Sequence, residues 1–380
     1  ATWIIFLLLF VTACEKNDPN SLYSNSIFRL CETNCDNAGK FDSIIDQIST
    51  WTNDHEIVGA EFLVIENQKI LVHEVFGWMD KESDKEMQKN TIFRIRSMTK
   101  PMIGTLAWML VEENKLKLSD TVAQFLPSFD NDTSRSITID QLMTHTTGFQ
   151  QPGFIFDYDT YDTLKEAVDD IGKHGPSVVP GTQYIYSDAN VAILGAIISE
   201  ITNMPVEDFL QVRVLDPLNM NDTFSTLIDE SNIKNRISST YYRSGNDYIK
   251  YWDSSRPQET RYFRASGGLY STPLDYAHFL YMWMNEGVYG SNQLLSASSI
   301  NKALKPTDHN IRYGYLWEIG TYFGHGGSDG TIAFAIPSEN MMVLYFTQSR
   351  STPTTEMIKI MTLKEFGISM IPHYEKMDVE

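Results

Sequence analysis

Ser97 and Lys100 stand three residues apart where a β-like run (Thr91–Arg96) passes into a predicted long amphipathic helix. Residues i and i+3 share one helix face, so the lysine amine can lie against the serine hydroxyl. A serine is a weak nucleophile until a neighbour takes its proton, and a partly desolvated lysine can do so. The open N–H groups at a helix start can also face an oxyanion. Ser231 with Lys234, and Ser299 with Lys302, repeat the spacing, so spacing alone does not choose the nucleophile. Tyr186, on a predicted loop before the apolar run Val191–Ile201, offers a phenol that can share a proton with the amine and the hydroxyl. Packing at a helix start is its competing role. His325-Gly326-Gly327 precede two late β-like runs. Glycines there allow close approach of a backbone to substrate, and an N–H can complete an oxyanion hole, although alone the triplet is a common turn.

These groups lie far apart in the chain, so remote elements must bring them together. A helix is predicted over 41–52, then strands over 60–66 and 69–78 with Asn67-Gln68 in a hairpin-like spacing. Helices and loops fill 120–215, including helices over 164–172 and 191–201, before strands at 330–337 and 341–348 and a closing helix at about 354–367. Strands at both ends with helices between imply an α+β fold: one antiparallel sheet flanked by helices, with an all-helical subdomain inserted at about 120–260. The unit spans 41–372 as a single catalytic domain.

Composition narrows the function. The 380 residues are 42% hydrophobic and 12% aromatic, as in a globular protein, and carry a formal net charge of −19. Such a field argues against nucleic acid as a partner. No C-x-x-C, HExxH or close His–His pair occurs, so neither a metal site nor a cofactor is expected. The segment from Asp157 to Asp162 has carboxylates but lacks the glycine and distal glutamate of a calcium loop. Trp3–Ala13 is apolar, too short to span a bilayer and suited to the core of a secretory signal. A buried N-terminal element is the alternative. Val11-Thr12-Ala13-Cys14 resembles the lipobox of bacterial lipoproteins. That resemblance implies lipidation at Cys14, a truncated signal segment at 1–14, a tether at 15–40 and a lipid-anchored place in the cell envelope, with membrane contact only through the anchor. Cys31 and Cys35 can close a small disulfide loop or remain two free thiols.

The ordered set Ser97-x-x-Lys100, Tyr186-Ser187-Asp188 and His325-Gly326-Gly327 resembles the serine β-lactamase and penicillin-binding superfamily. The likeness runs from about residue 41 to 370 and is nearest to the family VIII carboxylesterases. Ile137–Gly148, Pro180-Gly181, Pro217–Met220 and Gly267–Thr272 extend it. The resemblance implies a β-lactamase/transpeptidase-like fold with Ser97 as the acylated nucleophile and Lys100 with Tyr186 as a coupled base system. It places the oxyanion between the backbone N–H groups of Ser97 and Ser328, and substrate against Asp188, His325, Gly326, Gly327 and Ser328. His145 reads as packing or capping.

Two departures bear on substrate. Asp188 stands where class C β-lactamases have Asn; an ionised Asp cannot donate to a substrate amide carbonyl, and it can instead pair with Lys100 and keep it charged. His325 stands where K-T-G has a permanent cation for a substrate carboxylate. Both favour a carboxylesterase over a β-lactamase, a D-Ala-D-Ala carboxypeptidase or a D-aminopeptidase acting on cell-wall peptides. A small-molecule ester or amide is the expected partner, and a non-catalytic binding lipoprotein is the reading from another class. Phe149, Phe154, Phe156, Tyr158, Trp252, Tyr262, Phe263, Trp317, Tyr322 and Phe323 divide between core packing and an apolar acyl pocket. Gly326-Gly-Ser328-Asp-Gly330 matches the G-x-S-x-G elbow of α/β-hydrolases, but a strand rather than a helix is predicted after it, and only His373 remains downstream as base.

Overall fold

Alternation along Gly59–Glu66 (β2) sets the layering: Leu63 and Ile65 join one hydrophobic cluster, Phe62 and Val64 another. Every β2 residue but Glu66 is buried, as in a strand covered on both faces. This computed structural model describes residues 21–370 except 34, 151–159, 227–230, 257–260 and 351. The apolar start with Cys14, the segment from Phe154 to Asp159 and His373 lie outside the described residues.

β2 turns into Lys69–Asp80 (β3) through Asn67 and Gln68, both at positive φ (51° and 61°), as a two-residue type I′ hairpin turn requires. The main sheet then runs β3, β2, Met341–Thr347, Thr331–Ile336, Phe323–Gly327 and Glu318–Ile319, all antiparallel. On strand Phe323–Gly327, Glu318 and Ile319 pair with Gly324 and Phe323, so this last rung stops short of His325.

Helix Asp42–Asn53 (α1) and the closing helix Thr354–Glu365 cover one face, packing Ile44, Ile48, Ile358 and Leu363 on Phe62, Val64, Val343 and Tyr345. The other face takes helix Pro273–Met284 and, beyond it, Thr99–Glu112 (α2). The amphipathic reading of α2 is overturned. Thr99 through Leu110 are all buried, because the sheet side and the inserted helices enclose the helix. Ile139–Met143 (α3) and Leu164–His174 (α4) both start with capping boxes, Thr138 with Gln141 and Thr163 with Glu166. Asp188–Thr202 (α5) is capped by the Ser187 hydroxyl, which accepts from the Ala189 N–H.

Two boundaries differ from expectation. The insertion is not helical throughout: Thr240–Ser244 and Asp247–Trp252 form a hairpin, joined by Ser349–Arg350. Their aromatic, β-branched residues fit a pleated surface. Nor is 15–40 wholly a tether. Arg29–Leu30 (β1) pairs in parallel with β3, and Phe28 is fully buried. Tyr23 and Ser26 hydrogen-bond the buried His73 and His278. Cys31 and Cys35 are bridged.

Helix Pro273–Met284 reaches the nucleophile turn directly, since the Tyr276 hydroxyl donates to the Met98 carbonyl at 3.1 Å. At its first turn Asp275 is 8% exposed; burial, reinforced by the Asp222 charge, raises its carboxyl from 3.8 to about 7. The folded state therefore binds this proton more tightly, so the ionised group costs stability that grows as pH rises from about 4 to 7 and then levels off. Asp275→Asn keeps an acceptor for the Asp222 N–H and the Thr223 hydroxyl, both of which now reach one carboxylate oxygen. Guanidinium unfolding at pH 5 and pH 8 is expected to show the variant gaining on the order of 2 kcal/mol on the parent across that interval. An unchanged difference would show that Asp275 is ionised at both values.

Candidate active site

The nucleophile turn is built from strain and close contact. Arg96 is left-handed (φ 48°), and a short 3-10 turn, Arg96–Met98, leads into α2. This places Ser97 half-buried at the helix start with Lys100 fully buried one turn on. Lys100 Nζ donates to Ser97 Oγ at 3.0 Å and to the Ser266 carbonyl at 2.9 Å, and it meets Asp188 Oδ1 at 2.5 Å. Three acceptors thus match the three donors of an ammonium. Of the two rival pairs, Ser231 and Lys234 bound a separate four-residue helix, and Ser299 lies in the helix Ala297–Ala303, where its N–H is capped by Ser296.

Tyr186 completes the group from the start of α5. Its ring centroid lies 4.8 Å from Lys100 Nζ. His145 lies tilted against it with centroids 4.6 Å apart, and Tyr313 and His325 flank it at 6.1 and 6.3 Å. His145 does more than the packing or capping expected of it, because it holds both neighbours of Tyr186. Its carbonyl accepts from the Ile185 N–H (2.8 Å) and its Nδ1 from the Ser187 N–H (3.3 Å). Asn190 Nδ2 donates to the same Nδ1 at 2.8 Å, so the ring proton sits on Nε2. Burial, and then the Lys100 charge, push the imidazole well below its usual range and keep it neutral.

The remaining predicted residues divide. Asp188 is 7% exposed, with one oxygen on Lys100 and the other 2.7 Å from Arg264 Nη2. Burial alone would raise its carboxyl, but the two cations outweigh that and lower it. It is the charge partner of the lysine that its side chain allowed, and Arg264 takes its other oxygen. His325 is 3% exposed, with Nδ1 on the Gly326 carbonyl (2.8 Å) and Nε2 on the Tyr313 hydroxyl (3.1 Å). Burial lowers it from the ordinary value, so no cation stands here for a substrate carboxylate. Gly327 is needed for close approach to the chain itself: a Cβ there would lie 2.3 Å from the Ile95 carbonyl oxygen. Gly326 carries no such constraint, its nearest contact being 3.6 Å. Ser328 is exposed in the turn between strands Phe323–Gly327 and Thr331–Ile336. A strand follows it, so the elbow geometry is absent.

Sequence reasoning missed several participants. Tyr184 and Tyr313 line the aromatic box, whereas Phe149, Trp252, Phe263, Trp317 and Phe323 are buried in the core. Arg264 and Ser266 sit just before the recognised Gly267-Gly268, and Asn190 one residue pair beyond Asp188; their nearness to legible motifs was the available signal. No cluster of three or more His, Cys, Asp or Glu that could hold a metal occurs among the described residues.

Comparison with known proteins agrees with this geometry. The Beta-lactamase family model matches residues 41–364. An uncharacterized protein of Mycobacterium tuberculosis (strain CDC 1551) is 28% identical over 302 residues, 70% of this chain and 73% of that protein. A teichoic acid D-alanine hydrolase of Staphylococcus aureus is 30% identical over 214 residues, 56% of this chain and 51% of its own. Among solved structures, EstCE1, a hydrolase with promiscuous acyltransferase activity, superposes with a TM-score of 0.75 at 18% identity, over 85% of this chain and 98% of its own.

Proposed function

We propose that this chain, which belongs to the beta-lactamase family, is a serine hydrolase that cleaves small carboxylic esters through an acyl-enzyme on Ser97. The observation that carries the reading is the 3.0 Å hydrogen bond between Lys100 Nζ and Ser97 Oγ, beneath the Tyr186 ring. Ser97 Oγ attacks the ester carbonyl as its proton passes to the Lys100–Tyr186 couple, whose vacant proton site is the Tyr186 oxygen when Lys100 is the ammonium. The tetrahedral oxyanion rests against the N–H groups of Ser97 and Ser328. Collapse breaks the ester C–O bond, and the couple returns the proton to the leaving alkoxide. Water then repeats the sequence on the acyl-serine and frees the acid.

Ester preference is supported by the neutral, fully engaged His325 and by Asp188, whose oxygens are taken up by Lys100 and Arg264. Neither offers what a substrate carboxylate or amide carbonyl needs. The likeness to a teichoic acid D-alanine hydrolase favours a second reading, release of D-alanine from an envelope polymer. Lipidation at Cys14 would hold the domain at the cell envelope, within reach of such a polymer.

A side-by-side assay of p-nitrophenyl acetate and butyrate, a D-alanyl ester, nitrocefin and a D-Ala-D-Ala peptide tests the ranking. Esters are expected to exceed nitrocefin and the peptide in kcat/KM by more than about 100-fold, since a site lacking the groups that pair an amide or carboxylate rejects such ligands strongly. The D-alanyl ester outrunning the p-nitrophenyl pair would select the second reading. Preference for the peptide would reverse the ranking, and no turnover at all would leave a binding protein.

A further inference from the structure

We propose that Asp329 is a positioning residue that fixes the oxyanion hole by tying the turn before the nucleophile to the turn that carries Ser328. The proposal rests on Ser97 being the acylated residue. Asp329 is 2% exposed. One carboxylate oxygen accepts from Arg96 Nε at 2.7 Å and lies 3.5 Å from Arg94 Nε; the other accepts from the Tyr251 hydroxyl at 2.7 Å. The Arg94 guanidinium in turn lies over the Trp252 ring, 4.3 Å from its centroid. One carboxylate therefore joins the nucleophile turn, the strand Asp247–Trp252 and the turn after Phe323–Gly327.

Its place in the chain gives this junction a consequence. Arg96 immediately precedes Ser97, and Asp329 immediately follows Ser328, so each partner of the ion pair is covalently next to one proposed oxyanion donor. The direction of the Ser97 N–H depends on the backbone torsions of Arg96. A φ of 48° is costly for a residue with a Cβ and persists only where the surroundings hold it. Asp329 supplies that hold through the arginine side chain. On the other side, the Ser328 turn is closed by the Gly330 N–H donating to the Gly327 carbonyl at 3.0 Å, with Gly330 itself at φ 112°. Gly327 packs against the Ile95 carbonyl so closely that a Cβ would not fit. The two donor-bearing turns are thus pressed together at Gly327 and braced at Asp329. A hole made of two such donors works only while their separation and aim are kept for the tetrahedral oxygen rather than for the ground-state carbonyl.

Misalignment of this kind weakens an interaction made in the transition state, so kcat and kcat/KM should fall by the same factor. Asp329→Asn, which keeps the shape but not the charge, is expected to lower both about 10- to 100-fold on p-nitrophenyl butyrate, with KM unchanged. Inhibition by an alkyl boronic acid, whose boron takes the serine oxygen and presents a hydroxyl where the oxyanion sits, should weaken by a similar factor. A merely structural residue would instead lower the melting temperature and the active fraction, leaving the boronate affinity of the folded fraction unchanged. Tyr251→Phe removes one leg and leaves the ion pairs; it should show the same pattern at about 3- to 10-fold, and it decides the matter if Asp329→Asn does not fold. Folded variants with kcat and boronate affinity within twofold of the parent would overturn the brace. Ser97→Ala, run alongside, separates the two levels. A silent Ser97→Ala with fully active brace variants defeats this inference alone, whereas turnover surviving in Ser97→Ala defeats the nucleophile assignment beneath it.

Discussion

Ser97→Ala is expected to reduce kcat/KM for p-nitrophenyl butyrate by at least about 10⁴-fold, because residues that act as one nucleophilic unit fail together when the nucleophile is removed. The hydroxyl is the one that Lys100 contacts, at the start of a buried helix, and the same amine lies 4.8 Å from the Tyr186 ring centroid. Little structural change should accompany the loss, since Ser97 is half-buried and its hydroxyl is not a core contact. Ser328→Ala serves as the counter-experiment. It removes the hydroxyl of the G-x-S-x-G match but keeps the backbone N–H, so activity should stay within about tenfold of the parent if that N–H is what matters. Intact-mass labelling by an alkyl phosphonate reads the same choice directly: one adduct on the parent and on Ser328→Ala, none on Ser97→Ala. An adduct that survives in Ser97→Ala and disappears in Ser328→Ala would move the chemistry to the elbow.

Much of the frame was legible because local signals and tertiary structure agree. The Asn67-Gln68 turn, the strand at 60–66 and the helix at 164–172 each read the same way in the sequence and in the fold. Legibility failed where a residue's role depends on what the remote chain brings to it. The pairing of Asp188 with Lys100 was open to the sequence, but nothing near Asp188 announces Arg264, which takes its second oxygen. His325 was weighed by its type; only the fold shows that Gly326 and Tyr313 occupy both nitrogens. Asp329 reads as an ordinary turn aspartate until Arg94, Arg96 and Tyr251 converge on it. The N-terminal stretch was misjudged for the opposite reason. Its polar composition is that of a linker, yet a few buried anchors, Tyr23, Ser26 and Phe28, suffice to fasten it to β3 and the helix Pro273–Met284.

Neutralising Asp188 should cost both stability and rate. Asp188→Asn leaves the shape and one acceptor in place, but two cations, Lys100 and Arg264, then share a largely buried site without the anion between them. Breaking a buried ion network by removing one partner typically costs about 3–5 kcal/mol, since the remaining charges stay desolvated. The carboxyl is lowered from its ordinary 3.8 in the folded state, so this stability is present above that value and lost as pH falls through the folded value. Guanidinium unfolding should therefore separate parent and variant widely at pH 7 and bring them closer as pH falls below 3.8. Catalysis should fall about 10- to 100-fold, because the one remaining amide oxygen must serve Lys100 and Arg264 together without the anion that held the lysine beside Ser97, and small displacements of a catalytic group are costly. Adding Arg264→Met removes one of the two uncompensated cations. If the loss is electrostatic, the double variant should be more stable than Asp188→Asn alone, a sign that simple damage to packing would not produce. Equal unfolding midpoints for parent and Asp188→Asn at pH 7, with the ester rate unchanged, would mean that Asp188 neither holds the lysine nor compensates its charge.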